Sequence, residues 1–79
     1  MPERTHHVLE ALPQHRRALC ERMLADGEFR SLCEDYDDAF EALRRWEASA
    51  DVHRAARVEE FARLVAELES EILAELGVD

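Results

Sequence analysis

Four histidines (His6, His7, His15 and His53), two cysteines (Cys20 and Cys33) and 19 carboxylates are the groups in this chain of 79 residues that could do chemistry. Zinc sites announce themselves by paired ligands such as C-x2-C or H-x3-H, and neither spacing occurs. Glu3 and His6 make one Glu-x-x-His pair, whereas a di-iron bundle needs two such pairs on facing helices. The acidic run Glu34, Asp35, Asp37, Asp38 and Glu41 could be tried as a calcium loop. Counted from Asp35, however, the turn glycine is replaced by Phe40 and the closing Glu by Trp46. The run is therefore read as a solvated helix face, with Glu34/Asp38 and Asp37/Glu41 as mildly unfavourable like-charge pairs. Asp26 to Arg30 and Glu41 to Arg45 are expected to offset them.

Nucleophilic chemistry has no better footing. Ser31, Ser49, Ser70 and the two cysteines lack a strand-turn elbow or a neighbouring base, and the only glycines are Gly27 and Gly77, too few for a phosphate loop. Tyr36 and Trp46 fall on an apolar seam, where aromatic rings anchor packing. No catalytic, cofactor-binding or metal-ligating residue is expected, and the chain is read as a non-enzyme.

What remains is charge. The net charge is −9, and all ten basic residues are Arg. Residues 1–20 carry +1, residues 21–50 carry −5 and residues 51–79 carry −5. Without a basic face, binding to nucleic acid or to an anionic membrane is not expected. Glu67, Glu71 and Glu75 form a stripe at i,i+4 spacing near a helix carboxyl end, where negative charge opposes the helix dipole. Such a stripe is either a docking surface for a basic protein partner or plain solubilising charge.

The elements that carry these groups read as helices throughout. Apolar residues make up 47% of the chain and charged ones 37%, a composition that folds, and a single domain spanning residues 1–79 is expected with residues 1–4 frayed. In the first long segment Phe29, Leu32, Tyr36, Ala39, Leu43 and Trp46 alternate in steps of three and four, and Cys33 and Phe40 widen the seam. Asp26 is its expected N-cap. A second segment, with Asp51 as expected cap, carries Val58, Phe61, Val65, Leu68 and Ile72, joined by Leu64, Leu73 and Leu76 on the flanks, and Gly77 ends it. Helices over about 27–47 and 52–76 joined by a short connection must form an antiparallel hairpin. Pro13 fits the first turn of a shorter helix over about 13–25, bearing Ala18, Leu19, Met23 and Leu24 with Leu12 just before it, and one or two further turns are expected between Thr5 and Leu12. The fold class is all-α.

Three stretches in this order resemble the YdcH-like family of small bacterial helical-hairpin proteins, whose function is uncharacterised. The first is Leu12-Pro13-Gln14-His15-Arg16, which fits an apolar residue, Pro, an acid or amide, any residue and Arg. The second is the turn Asp26-Gly27-Glu28 leading into Phe29, Leu32 and Tyr36. The third is Leu68, Glu71, Ile72, Leu73 and Leu76, an L-x-x-E-[IM]-L-x-x-L helix. The chain departs from the family pattern at Gly27, where Pro is usual, at Phe40, where Asp is usual, and at Val65, Ala66 and Glu67 in a stretch typically rich in Lys. The resemblance implies a helical hairpin and an oligomer. It brings no catalytic residues.

A core of fewer than 80 residues seldom supplies more than about 3–5 kcal/mol, and each long helix has an apolar face wider than one seam. Self-association is therefore expected, with a homodimer of hairpins favoured and Phe29, Leu32, Tyr36, Phe40, Leu43, Trp46, Val58, Phe61, Val65, Leu68 and Ile72 supplying core and contact. The alternatives are an acidic adaptor docking through Glu67, Glu71 and Glu75, and a thiol-based sensor using Cys20 and Cys33. Met1 to Leu12 lacks the basic-then-apolar order of a signal peptide, so a cytoplasmic setting with reduced thiols is expected.

Overall fold

Asp26 decides where the first long helix begins. Its Oδ1 accepts the backbone N–H groups of Glu28 at 3.0 Å and Phe29 at 3.2 Å, satisfying two of the donors a helix start leaves orphaned. From there α3 runs over Gly27–Glu47, as the spacing of its apolar residues predicts. A computed structural model describes residues 6–77; the frayed segment expected at residues 1–4 lies outside the described residues. Ahead of α3 stand α1 (His7–Ala11), a 3-10 turn (Pro13–His15) and α2 (Arg16–Ala25), and after it comes α4 (Arg54–Leu76). All the regular structure among the described residues is helical. The long α3 and α4 form the antiparallel hairpin, with the shorter helices packed against it.

Two boundaries differ from expectation. The helix predicted over 13–25 starts as a 3-10 turn, because Pro13 opens it without a donor and His15, at φ −110°, ψ 11°, does not yet hold helical geometry. The helix predicted from 52 begins at Arg54, and Asp51 is not its cap. Asp51 Oδ1 accepts the His53 N–H at 2.7 Å, while Ser49 Oγ accepts the Asp51 N–H at 3.0 Å. These local bonds offer the backbone a turn in place of a helical start, the usual competition from Ser and Asp side chains. At the far end Gly77 takes φ 77°, the left-handed conformation that releases the chain from α4.

The core lies at the open end of the hairpin. Val8, Leu12, Leu19, Met23, Phe29, Cys33, Tyr36 and Ile72 form one buried cluster, so the segment running from α1 through α2 supplies half of it. Of the expected seam residues, Leu32, Phe40, Val65 and Leu68 are partly buried against that cluster, whereas Leu43, Trp46, Val58 and Phe61 are partly buried outside it. Among the described residues no third helix lies over the loop end of the hairpin. A radius of gyration of 13.6 Å, against about 12 Å for a compact chain of this length, reflects that projection.

Candidate interaction surface

One side of the hairpin is covered by the chain's own amino-terminal helices, and a single buried carboxylate holds the cover in place. Asp37, read from the sequence as part of a solvated acidic face, is fully buried. His6 Nδ1 lies in hydrogen-bond contact with its Oδ2 at 2.7 Å and the His7 backbone N–H donates to its Oδ1 at 2.7 Å. Asp37 thus caps α1 from another helix, a task the sequence-local position, His6, does not perform with its own side chain. His7 stacks on Phe40 with ring centroids 4.5 Å apart, and its Nε2 lies 3.3 Å from Glu41 Oε2.

The correction at Asp37 has a geometric cause. Asp37 lies four residues after Cys33 and three before Phe40, so it shares the face that those two apolar residues widen. Asp35 and Asp38, turned roughly 100–200° away by the helical rotation, are exposed. The partners of Asp26 and Glu41 also differ from those expected. Asp26 pairs with Arg22 at 3.2 Å and Glu41 with His7, so α2 and α1 take up charges that the sequence assigns to α3 itself.

The other side of the hairpin is open. Midway along the hairpin, a shallow groove between α3 and α4 is lined by Asp35, Asp38, Ala39, Phe61, Leu64 and Leu68. Toward the open end a second stretch is lined by Asp26, Glu28, Phe29, Leu32, Glu71, Ala74 and Glu75. The lining residues step along the same sides of both helices, so the two stretches run end to end. The floor is apolar and the walls are carboxylates. Leu64, 39% exposed, is the large apolar residue that α4 presents there. Glu67, Glu71 and Glu75 of the predicted stripe are all exposed, but Glu75 is already engaged, its carbonyl accepting from Arg22 Nη1 at 2.7 Å and its carboxylate 3.4 Å from Nη2.

The remaining chemistry-bearing groups do not converge. Among the described residues no group of three or more His, Cys, Asp and Glu side chains could hold a metal ion. Cys33 is fully buried, and burial, aided by the nearby charges of Asp37 and Glu34, pushes its thiol up to about 12. Thiolate is the reactive form, so Cys33 is poorly suited to sensing oxidants. Burial also raises the Tyr36 hydroxyl above its usual value, with Glu69 and Asp37 adding to the effect. No described helix is long and apolar enough to cross a membrane.

Fold and surface together define a small all-α hairpin with one face capped by its own chain and an acidic, apolar-floored groove on the other. No family model matches the chain, and neither a curated protein nor a solved structure matches it. The likeness to the YdcH-like family rests on the three sequence stretches alone.

Proposed function

We propose that this protein is a self-associating helical module of the cytoplasm, akin to the YdcH-like hairpins, that works by binding and carries out no reaction of its own. One observation carries this reading: α1 and α2 cover only one side and one end of the hairpin. Leu43, Trp46, Val58 and Phe61 are left half-buried, and Leu64 stands on an open groove. Two amphipathic helices whose apolar faces exceed a single seam gain by burying the surplus against another surface. A second copy brings the same surplus, and closed homodimers are the commonest such solution. Light scattering at micromolar concentration is expected to give twice the chain mass of 9.1 kDa. A steady 9.1 kDa mass with melting independent of concentration would end the proposal.

The acidic walls of the groove favour a second reading, an adaptor for a basic protein segment, in which Glu67, Glu71 and Glu75 join Asp35 and Asp38 in contacting Arg or Lys side chains. It is tested by titrating an Arg-rich amphipathic peptide at low and moderate salt. Loss of any binding signal at both salt concentrations would remove it.

A further inference from the structure

The two ends of α4 differ in charge. Residues 54–63 carry Arg54, Arg57 and Arg63 against Glu59 and Glu60, a balance of +1, whereas residues 64–76 carry Glu67, Glu69, Glu71 and Glu75, a balance of −4. On the side of α4 that borders the groove, Arg57, Leu64 and Glu71 follow one another at seven-residue steps, two helical turns each, and so form a nearly straight exposed line. The line is antisymmetric in charge about Leu64. Phe61 and Leu68 flank Leu64 on the groove side and give it apolar neighbours.

From this arrangement we infer that the groove is occupied by α4 of a second copy, running antiparallel, with a twofold axis passing beside Leu64. The inference deepens the self-association reading and rests on it. Under such an axis each residue meets the one equally far from Leu64 in the opposite direction. Leu64 meets its own counterpart, and Arg57 of each copy meets Glu71 of the other, twice per dimer. The basic start of one α4 then lies along the acidic open end of the other copy's groove, beside Glu28 and Glu71. A parallel arrangement would set Arg57 on Arg57 and Glu71 on Glu71 and is disfavoured by repulsion. Arg57 already bonds Glu60 Oε2 at 2.7 Å, but that occupies only Nη1, and its guanidinium has further donors for a partner's carboxylate. Glu71 makes no ion pair among the described residues.

Three variants of the full chain test this. Arg57→Glu and Glu71→Arg each replace two attractions by two repulsions and are expected to weaken the dimer about tenfold, measured by sedimentation equilibrium. The double variant, which swaps the charges, is expected to restore the wild-type dissociation constant. Both positions are exposed, and circular dichroism checks that the helices are intact. In a Cys20→Ser background, Leu64→Cys is expected to form a symmetric disulfide when diamide is supplied as the two-electron acceptor, since a residue beside a twofold axis faces its own copy. A control cysteine at Val52 in the connection is not. A wild-type dimer that ignores both reversals and gives no Leu64→Cys cross-link would overturn this arrangement while leaving self-association standing, with the loop-end residues Leu43 and Trp46 as the contact. A wild-type monomer would overturn both, and binding of the Arg-rich peptide by that monomer would assign the groove to a foreign helix.

Discussion

At the scale of single residues Asp37 matters most, because it is a fully buried carboxyl group whose two oxygens both hold the amino-terminal segment. Replacing it by Ala leaves the His7 N–H and the His6 ring without their acceptor, and an unmet buried group costs on the order of 1–3 kcal/mol. Asp37→Ala is expected to lose about 2–3 kcal/mol in urea denaturation, a large share of the stability of so small a domain. Asp37→Asn should lose less, since its amide oxygen can take the His7 N–H while its NH2 donates to a neutral His6 ring. Equal losses in both variants would mean that the charge itself, and not the two bonds, secures α1. Cys33 offers a second check. Its thiol is buried and pushed up to about 12, so iodoacetamide at neutral pH is expected to label Cys20 first and Cys33 only after denaturation.

At the scale of the elements, helix ends set the stability of the frame. Asp26 caps α3, and the Phe29 N–H, followed by the Arg22 guanidinium, holds its carboxyl below the usual value of 3.8. A carboxyl depressed in the folded state contributes stability above its unfolded value and loses it as the pH falls through the lower, folded one. Acid unfolding of the wild type should therefore steepen below about pH 4, and Asp26→Ala should both lower the melting temperature at pH 7 and flatten that acid limb. The two glycines predict opposite signs. Gly77 occupies the left-handed region, so Gly77→Ala is expected to cost about 1 kcal/mol. Gly27 begins α3 in ordinary helical geometry, and an added Cβ would meet only the end of the Arg30 side chain at 3.8 Å. Gly27→Ala is expected to stabilise by about 0.5–1 kcal/mol through a less flexible unfolded chain, read as a rise in the urea midpoint.

For the whole molecule the uneven core is the governing fact. Burial is concentrated where α1 and α2 meet the open end of the hairpin, and it thins toward the connection at residues 48–53. If the groove and loop end are closed by a second copy, the melting temperature must rise with protein concentration, because mass action stabilises the associated folded state. A scan from micromolar to near-millimolar protein checks this, and a constant melting temperature would argue for a self-sufficient monomer. Trp46, half-buried near the connection, should report the same transition through its fluorescence. Much of this architecture was legible in the residues themselves. The alternation of threes and fours from Phe29 to Trp46, the cap at Asp26 and the stop at Gly77 each follow from local rules of helix formation. The start of α4 was not, because Ser49 and Asp51 serve equally well as cap or as turn until the backbone chooses.

The sequence by itself determined an all-α hairpin and the positions of its helix ends to within a few residues. Periodicity and capping are properties of neighbours in the chain, so these could be read directly. Only the tertiary structure decided which acid is buried and which face is spent. Asp35, Asp37 and Asp38 are alike in type and lie within four positions of one another, but the helical rotation turns only Asp37 onto the face where α1, arriving from some 30 positions upstream, buries it. That docking covers one side of the hairpin and leaves the acidic groove on the other.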